Sequence, residues 1–322
     1  MKGGAVFIGD VAKDEYYSMD AYPALGTKAD VRQLPAMMGG SIANAACVYA
    51  SFGENTRFLG HLNNRDRELT KYLSEQCGID TGLTIYDDAL ADSKCLILLA
   101  EGEHTVFMVD TGENDLNLPE DTFRTLCEAP LIYTSHWVLG RIRCGTMNNV
   151  EVLRRWRECG VRVVMDIDVD MVNEARRPLM PYIDILFMNK VGFAAQSVGR
   201  GEAETVQDLF DSGVGFVVVT RAENGCNIYR REGALSIPGV KIDVVDVTGA
   251  GDTFCSAFSL MYQRTGDPLR AGIFANYAAA LSVAALGARS GAVGASPVLA
   301  FMRERGEDTA PFAAALSAML PK

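Results

Sequence analysis

Short β-branched runs alternating with helical periodicity restrict this chain to a narrow set of folds. Mostly apolar runs at residues 5–9, 56–60, 131–135, 161–167, 183–188 and 214–220 read as strands covered on both faces. Helical patterns lie between them at 42–52, 67–77, 148–159 and 202–212. In the third of these Val150, Leu153 and Trp156 share a face, as do Val206, Leu209 and Phe210 in the fourth. Such alternation predicts a Rossmann-like, three-layer α/β fold around a mostly parallel sheet. The last third turns helical, with Leu269, Ile273, Tyr277, Ala280 and Ala284 along one face. No linker divides residues 1–322, which read as a single α/β domain.

Two segments break the alternation. Residues 11–38 contain two prolines and several aromatics, and residues 85–110 read as strands at 95–100 and 105–109 joined by a turn at 101–104. Both are expected to leave the main sheet and form a small β-sheet lid. Ligands of open α/β sheets sit beyond the carboxyl ends of the strands, where such a lid would close.

Charge and composition narrow the function classes. A formal charge of −11 offers no basic face for nucleic acid. Residues 271–288 carry no charge, but they are alanine-rich and include Asn276 and Ser282, which suits a buried helix rather than a membrane span. The apolar run after Lys2 is cut short by Asp10, unlike a secretory signal. Eight cysteines show no CxxC pair and no metal-like spacing with the three histidines. They read as reduced thiols of a cytoplasmic protein, with no metal held by the chain itself.

The chemistry concentrates in Asp246-Val-Thr-Gly-Ala-Gly-Asp252-Thr-Phe. The run is expected to end a β-rich stretch at 236–247 and to open an apolar helix at 254–262. Gly249 and Gly251 permit a sharp turn. The N–H groups of Gly249, Ala250, Gly251 and Asp252 then converge at a helix N-terminus, a site suited to a phosphoryl group. Asp252 could serve beside it as general base, although an acid in the first turn of a helix is also an ordinary helix-start residue. A second glycine feature, Met38-Gly39-Gly40-Ser41-Ile42-Ala43-Asn44, opens the first helix. There Gly39 and Gly40 admit a ligand to the backbone, and Asn44 offers donors and an acceptor to hydroxyls. No G-x-x-x-x-G-K-[ST] occurs, and the first strand ends Ile8-Gly9-Asp10-Val11-Ala12-Lys13-Asp14, with acids where a dinucleotide fingerprint needs glycines.

These runs resemble the signatures of the PfkB, or ribokinase-like, family of ATP-dependent carbohydrate kinases. The stretch from Asp246 to Phe258 is similar to its C-terminal signature. Gly39-Gly40…Asn44, followed by Phe52-Gly53, is similar to the N-terminal one. The resemblance implies a ribokinase fold, ATP and Mg²⁺ as cofactors, and a sugar-like acceptor whose hydroxyls meet Asp14, Gly39, Gly40 and Asn44. It implies nucleotide contacts from Asn189, Thr220, Gly225 and Asn276, with Mg²⁺ carried mainly by ATP and water. A monovalent cation (K⁺) near Asp246 and the 287–294 loop, and a homodimer formed through the lid, belong to the same expectation.

The chain departs from the family at four positions. The family's Asn-x-x-Glu here reads Asn189-Lys190-Val191-Gly192, Ala222 replaces the first glycine of the nucleotide motif, and Ser41 and Ala12 stand where ribokinase has lysine and asparagine. A nucleoside kinase is the competing enzyme reading, through base stacking on Tyr16, Tyr17 or Phe107. A non-catalytic sugar or nucleotide sensor is the other, motivated by Gly192.

Overall fold

The computed structural model describes residues 4–101, 103–112 and 115–317. Its main sheet has eight strands. Reading across, they are Gly233–Ile237, Cys226–Arg230, Phe216–Thr220, Ile185–Asn189, Arg162–Asp166, Leu131–Ser135, Ala5–Ile8 and Thr56–Leu59. The last six run parallel. The first two form an antiparallel hairpin on one edge. All six expected strands are present, within two residues of the expected ends.

Period-two alternation divides the core. In the strand Ala5–Ile8, Ala5 and Phe7 pack into one apolar cluster, and Val6 and Ile8 into the other. The first cluster is completed by the helices Ser41–Ser51, Ala250–Thr265, Pro268–Val283 and Ala295–Glu304. The second is completed by Asn149–Glu158, through Val152, Leu153 and Trp156, and by Glu202–Asp211, through Leu209 and Phe210. The result is three layers, helix on sheet on helix.

The structure corrects two expectations. The β-rich stretch foreseen at 236–247 ends as a strand at Ile237, and the chain then runs irregularly to Gly249. Pro238 and Gly239 stop the ladder, and Val244, Val245 and Val247 stay more than half exposed. The stripe foreseen on the late helix is also too narrow. Pro268–Val283 buries residues around most of its circumference, while Leu269 faces solvent. Among the described residues no helix is long and apolar enough to cross a membrane.

The irregular segments form a separate five-stranded sheet. Ala12–Ser18 pairs with Met37–Gly39, Arg32–Gln33 and Lys94–Ala100, and the last of these pairs with Glu103–Met108. The foreseen turn at 101–104 includes residue 102, outside the described residues. Glu103–Met108 is an edge strand, exposed along its whole length.

Candidate active site

Three parallel strands end side by side. Asp166, Asn189 and Thr220 are their terminal residues, and the ladder sets Asn189 opposite Thr220 and Asp166 opposite Phe187. Beyond these ends lies a cavity of about 210 Å³. Phe187 and Met188 on the middle strand, with Asp168, Ser41, Gly249, Gly251, Asp252 and Cys255, complete its lining. A larger hollow of about 460 Å³ lies away from the strand ends, between Glu202–Asp211 and the 229–234 hairpin, and is lined mainly by apolar groups such as Phe210 and Tyr229.

The helix Ala250–Thr265 starts abruptly because Gly249 adopts φ +76°. A Cβ at Gly249 would lie 1.9 Å from the Ala288 carbonyl oxygen, so no side chain fits there. The Ala250 N–H donates to the Val247 carbonyl at 3.2 Å, which removes it from the expected group of four donors. Gly251 and Asp252 occupy the first helical turn, where N–H groups have no partner four residues back within the helix. At Gly251 a Cβ would meet nothing within 4 Å, and the backbone there is open to the cavity.

Asp252 faces the cavity and accepts a hydrogen bond from Asn44 Nδ2 at 3.0 Å. Desolvation holds its carboxyl well above the ordinary carboxylate range; the Asn44 bond opposes this, and the charges of Asp166, Asp10 and Asp168 add to it. Asn44 Oδ1 in turn accepts from Arg289 Nε at 3.0 Å. Asp14 packs its carboxylate against Gly39, where a Cβ would lie 2.0 Å from Oδ2. Burial pushes Asp14 up to about 6, with Cys95 and Arg289 opposing and Asp10 reinforcing the shift. Gly40, at φ +96°, passes so close to Asp10 that a Cβ would lie 2.7 Å from its carbonyl oxygen.

On the far wall, burial raises Asp166 to about 6 despite bonds from the Asp168 N–H (3.0 Å) and the Tyr133 hydroxyl (2.9 Å). Asp168, at φ +48°, accepts from Asn189 Nδ2 at 2.7 Å. Asn189 Oδ1 caps the next helix by accepting the N–H groups of Val191 and Gly192, both at 2.9 Å. Gly192 has a steric reason: a Cβ there would lie 2.4 Å from the Asp168 carbonyl oxygen. The 168–170 segment thus fills the space where the family's glutamate would stand.

Other expected residues make contacts with the surrounding backbone. Gly225, at φ +84°, turns the chain where a Cβ would lie 2.1 Å from the Ile237 carbonyl oxygen, and it does not line the cavity. Buried Asn276 donates Nδ2 to the Pro238 carbonyl at 3.0 Å. Asp246 accepts from the N–H and hydroxyl of Thr248 and from the Gly287 N–H. Burial opposes ionisation of Asp246, but those bonds outweigh it and hold the carboxyl below its ordinary value. Ala222 adopts φ +50° where the family has glycine. Ala222→Gly should therefore relieve left-handed strain of about 1–2 kcal/mol, a gain readable as a raised denaturation midpoint in urea. An unchanged or lowered midpoint would show that the strain is absent.

Four charged residues near the chemistry escaped the sequence reading: Asp10, Asp166, Asp168 and Arg289. The acids at 166, 168 and 170, at a strand end, were a visible signal. Arg289 had none, because it reaches Asn44 from 245 residues away.

The sequence profile of the pfkB family carbohydrate kinases matches residues 6–293. The chain belongs to that family. This kinase is 29% identical to the ATP-dependent ribose-1-phosphate kinase of Halopiger xanaduensis, over 92% of its own length and 97% of the relative's. It is 23% identical to the ribokinase of Staphylococcus aureus, over 90% and 96% of the two chains. The fold matches the Arabidopsis thaliana ribokinase complexed with ribose and ATP at a TM-score of 0.81 and 20% identity, covering 94% and 99% of the chains. As a pfkB carbohydrate kinase it is an ATP-dependent phosphotransferase with a sugar hydroxyl as acceptor.

Proposed function

We propose that the cavity transfers the ATP γ-phosphate to a hydroxyl of a sugar-like acceptor, with Asp252 as general base. The observation carrying this reading is one arrangement: Asp252 faces the cavity beside the open backbone of Gly249 and Gly251 at a helix N-terminus. Donors placed there stabilise charge on a transferring phosphoryl group. Asp252, held above the ordinary range by burial, is a stronger base than a solvated carboxylate and removes the acceptor proton as its oxygen attacks. Asn44 donates to Asp252 and so orients the carboxylate toward the acceptor side. Asp14 and the narrow Gly39–Gly40 backbone hold the remaining hydroxyls. Thr220 and Asn189 bound the nucleotide side.

The residues present suit Mg²⁺ with ATP. Asp166 and Asp168 put hard oxygen donors on the cavity wall, and their crowding with Asp252 raises that group's pKa, a repulsion that a cation relieves. Bound Mg²⁺ would neutralise charge on the phosphates, and Asp166 and Asp168 would hold its water shell in place of the absent glutamate. A K⁺ ion beside Asp246 and the 287–294 loop belongs to the same proposal, read out as activity in K⁺ against choline.

The five-stranded sheet would close over the acceptor and exclude water, which otherwise competes for the phosphate. Its exposed edge, with Phe107 and Met108 at 51% and 75% exposure, would pair with a second copy. Sedimentation should then report twice the chain mass, and Val106→Pro should shift it to the single chain; a wild-type monomer would contradict the pairing.

The relatives' named substrates differ, from ribose 1-phosphate to fructose, so the proposal extends to a class of acceptor rather than to one sugar. Purified protein with Mg²⁺–ATP and a panel of sugars, sugar acids, polyols and nucleosides tests the reading. Acceptor-dependent ADP release supports it. Binding of ATP without such release would favour a sensor, and turnover of nucleosides alone would favour a nucleoside kinase.

A further inference from the structure

Arg289 contributes one of its five N–H donors to the protein and leaves the rest unspent. Nε donates to Asn44 Oδ1, whereas Nη1 and Nη2 are buried and have no hydrogen-bond partner. A guanidinium buried with two idle nitrogens is costly unless a ligand meets them. Nothing in the kinase chemistry described above uses them.

Their position shows what such a ligand would be. Asn44 bridges Arg289 and Asp252 with bonds of 3.0 Å on each side. With ordinary amide dimensions this sets Nε within about 8 Å of the Asp252 carboxylate, roughly the span of a small sugar. The charge of Asp10 acts on both Asp14 and Asp252, and the positive charge of Arg289 is felt at Asp14. Those carboxylates would repel a negatively charged acceptor, so only a fixed cation allows one to bind. The guanidinium fork matches a phosphate or carboxylate in two-point contact. The guanidinium carbon lies over the ring of Tyr72, 39% exposed, at 5.1 Å from the ring centre.

We propose that Arg289 binds an anionic group on the acceptor, so that this kinase phosphorylates a sugar that already carries a phosphate ester or a carboxylate. The proposal rests on the kinase reading above and narrows its acceptor class. The anionic group docks on Nη1 and Nη2 at one end, and the attacking hydroxyl lies by Asp252 at the other. Because Nε holds Asn44 Oδ1, the Asn44 amide can only turn Nδ2 toward Asp252. Arg289 therefore links recognition of the anion to the orientation of the base.

The test compares wild type with Arg289→Lys and Arg289→Met, using ribose, ribose 1-phosphate, fructose, fructose 6-phosphate and gluconate as acceptors. The deciding readout is the ratio of kcat/KM for anionic over neutral acceptors, since a loss through Asn44 lowers both alike. In wild type the ratio should exceed about 100 for at least one anion, and Arg289→Met should bring it toward one. Arg289→Lys keeps the charge without the fork and should fall between them. The phosphates and gluconate separate an ester-reading site from a carboxylate-reading one.

Equal or better use of neutral sugars by wild type overturns the proposal and leaves the kinase reading standing. So does a ratio unchanged in both variants, or a variant whose sole change is altered alkylation of Cys77, which also lies in the field of Arg289. If no acceptor releases ADP, the kinase reading fails and titration calorimetry decides the anion site separately. Fructose 6-phosphate and ribose 1-phosphate should then bind wild type at least about 100-fold more tightly than Arg289→Met, and equal binding refutes it. Thermal melts of each variant confirm that it is folded.

Discussion

Asp252→Asn lowers kcat by about 10²–10⁴-fold, the range that a positioned general base supplies, while ATP affinity measured by calorimetry stays near the wild-type value. The amide keeps the shape and can still accept from Asn44, so the change isolates the proton acceptor. The pH dependence follows from burial. Only the ionised carboxylate accepts a proton, and its folded pKa lies above the ordinary value of about 4. Wild-type kcat/KM should therefore fall as pH drops through that raised value, and the variant should lose this limb. Stability runs the other way. A carboxyl whose pKa is raised on folding binds its proton more tightly in the native state. Its contribution is complete below the ordinary pKa and is lost as pH rises through the folded value. Asp252→Asn should consequently melt higher than wild type at pH 8. A variant that keeps wild-type turnover would remove Asp252 from the mechanism.

Gly249→Ala should be the most damaging of the glycine changes. The residue stands at φ +76°, and the added Cβ would lie 1.9 Å from the Ala288 carbonyl oxygen, a backbone atom that cannot swing aside. The left-handed conformation alone costs about 1–2 kcal/mol. Relief of the clash must displace the turn that presents the first-turn amides, and a shift of about 1 Å at such a site costs about 100-fold in rate. The expected result is a lowered unfolding midpoint together with a fall in kcat of at least about 100-fold. Gly251→Ala is the comparison, because its Cβ meets nothing within 4 Å. It should melt like wild type and show its effect on ATP, since Gly251 borders the cavity. Equal melting of the two variants would contradict the steric account.

Much of this was legible along the chain, for local reasons. The parallel strands declare themselves because burial on both faces leaves little room for polar residues. The turn at Gly249 and the acid three residues later are read from adjacent positions. The hairpin Cys226–Arg230 and Gly233–Ile237 was missed because apolar residues continue to Val247 and draw the β pattern beyond Pro238. Asn276 and Gly225 both meet the backbone at 237–239, a contact that no local pattern announces. Gly192 looked like a loss until the 168–170 segment was seen to occupy its surroundings. Arg289 illustrates the limit: its meaning lies in a contact across 245 residues, made by the fold rather than by any local pattern.

A crystal structure with Mg²⁺, a non-hydrolysable ATP analogue and the acceptor found by screening tests the central claim most directly. The terminal phosphate oxygens should lie about 3 Å from the Gly249, Gly251 or Asp252 N–H groups, with an acceptor hydroxyl at hydrogen-bond distance from the Asp252 carboxylate. A terminal phosphate bound elsewhere, or an acceptor hydroxyl directed away from Asp252, would contradict the account.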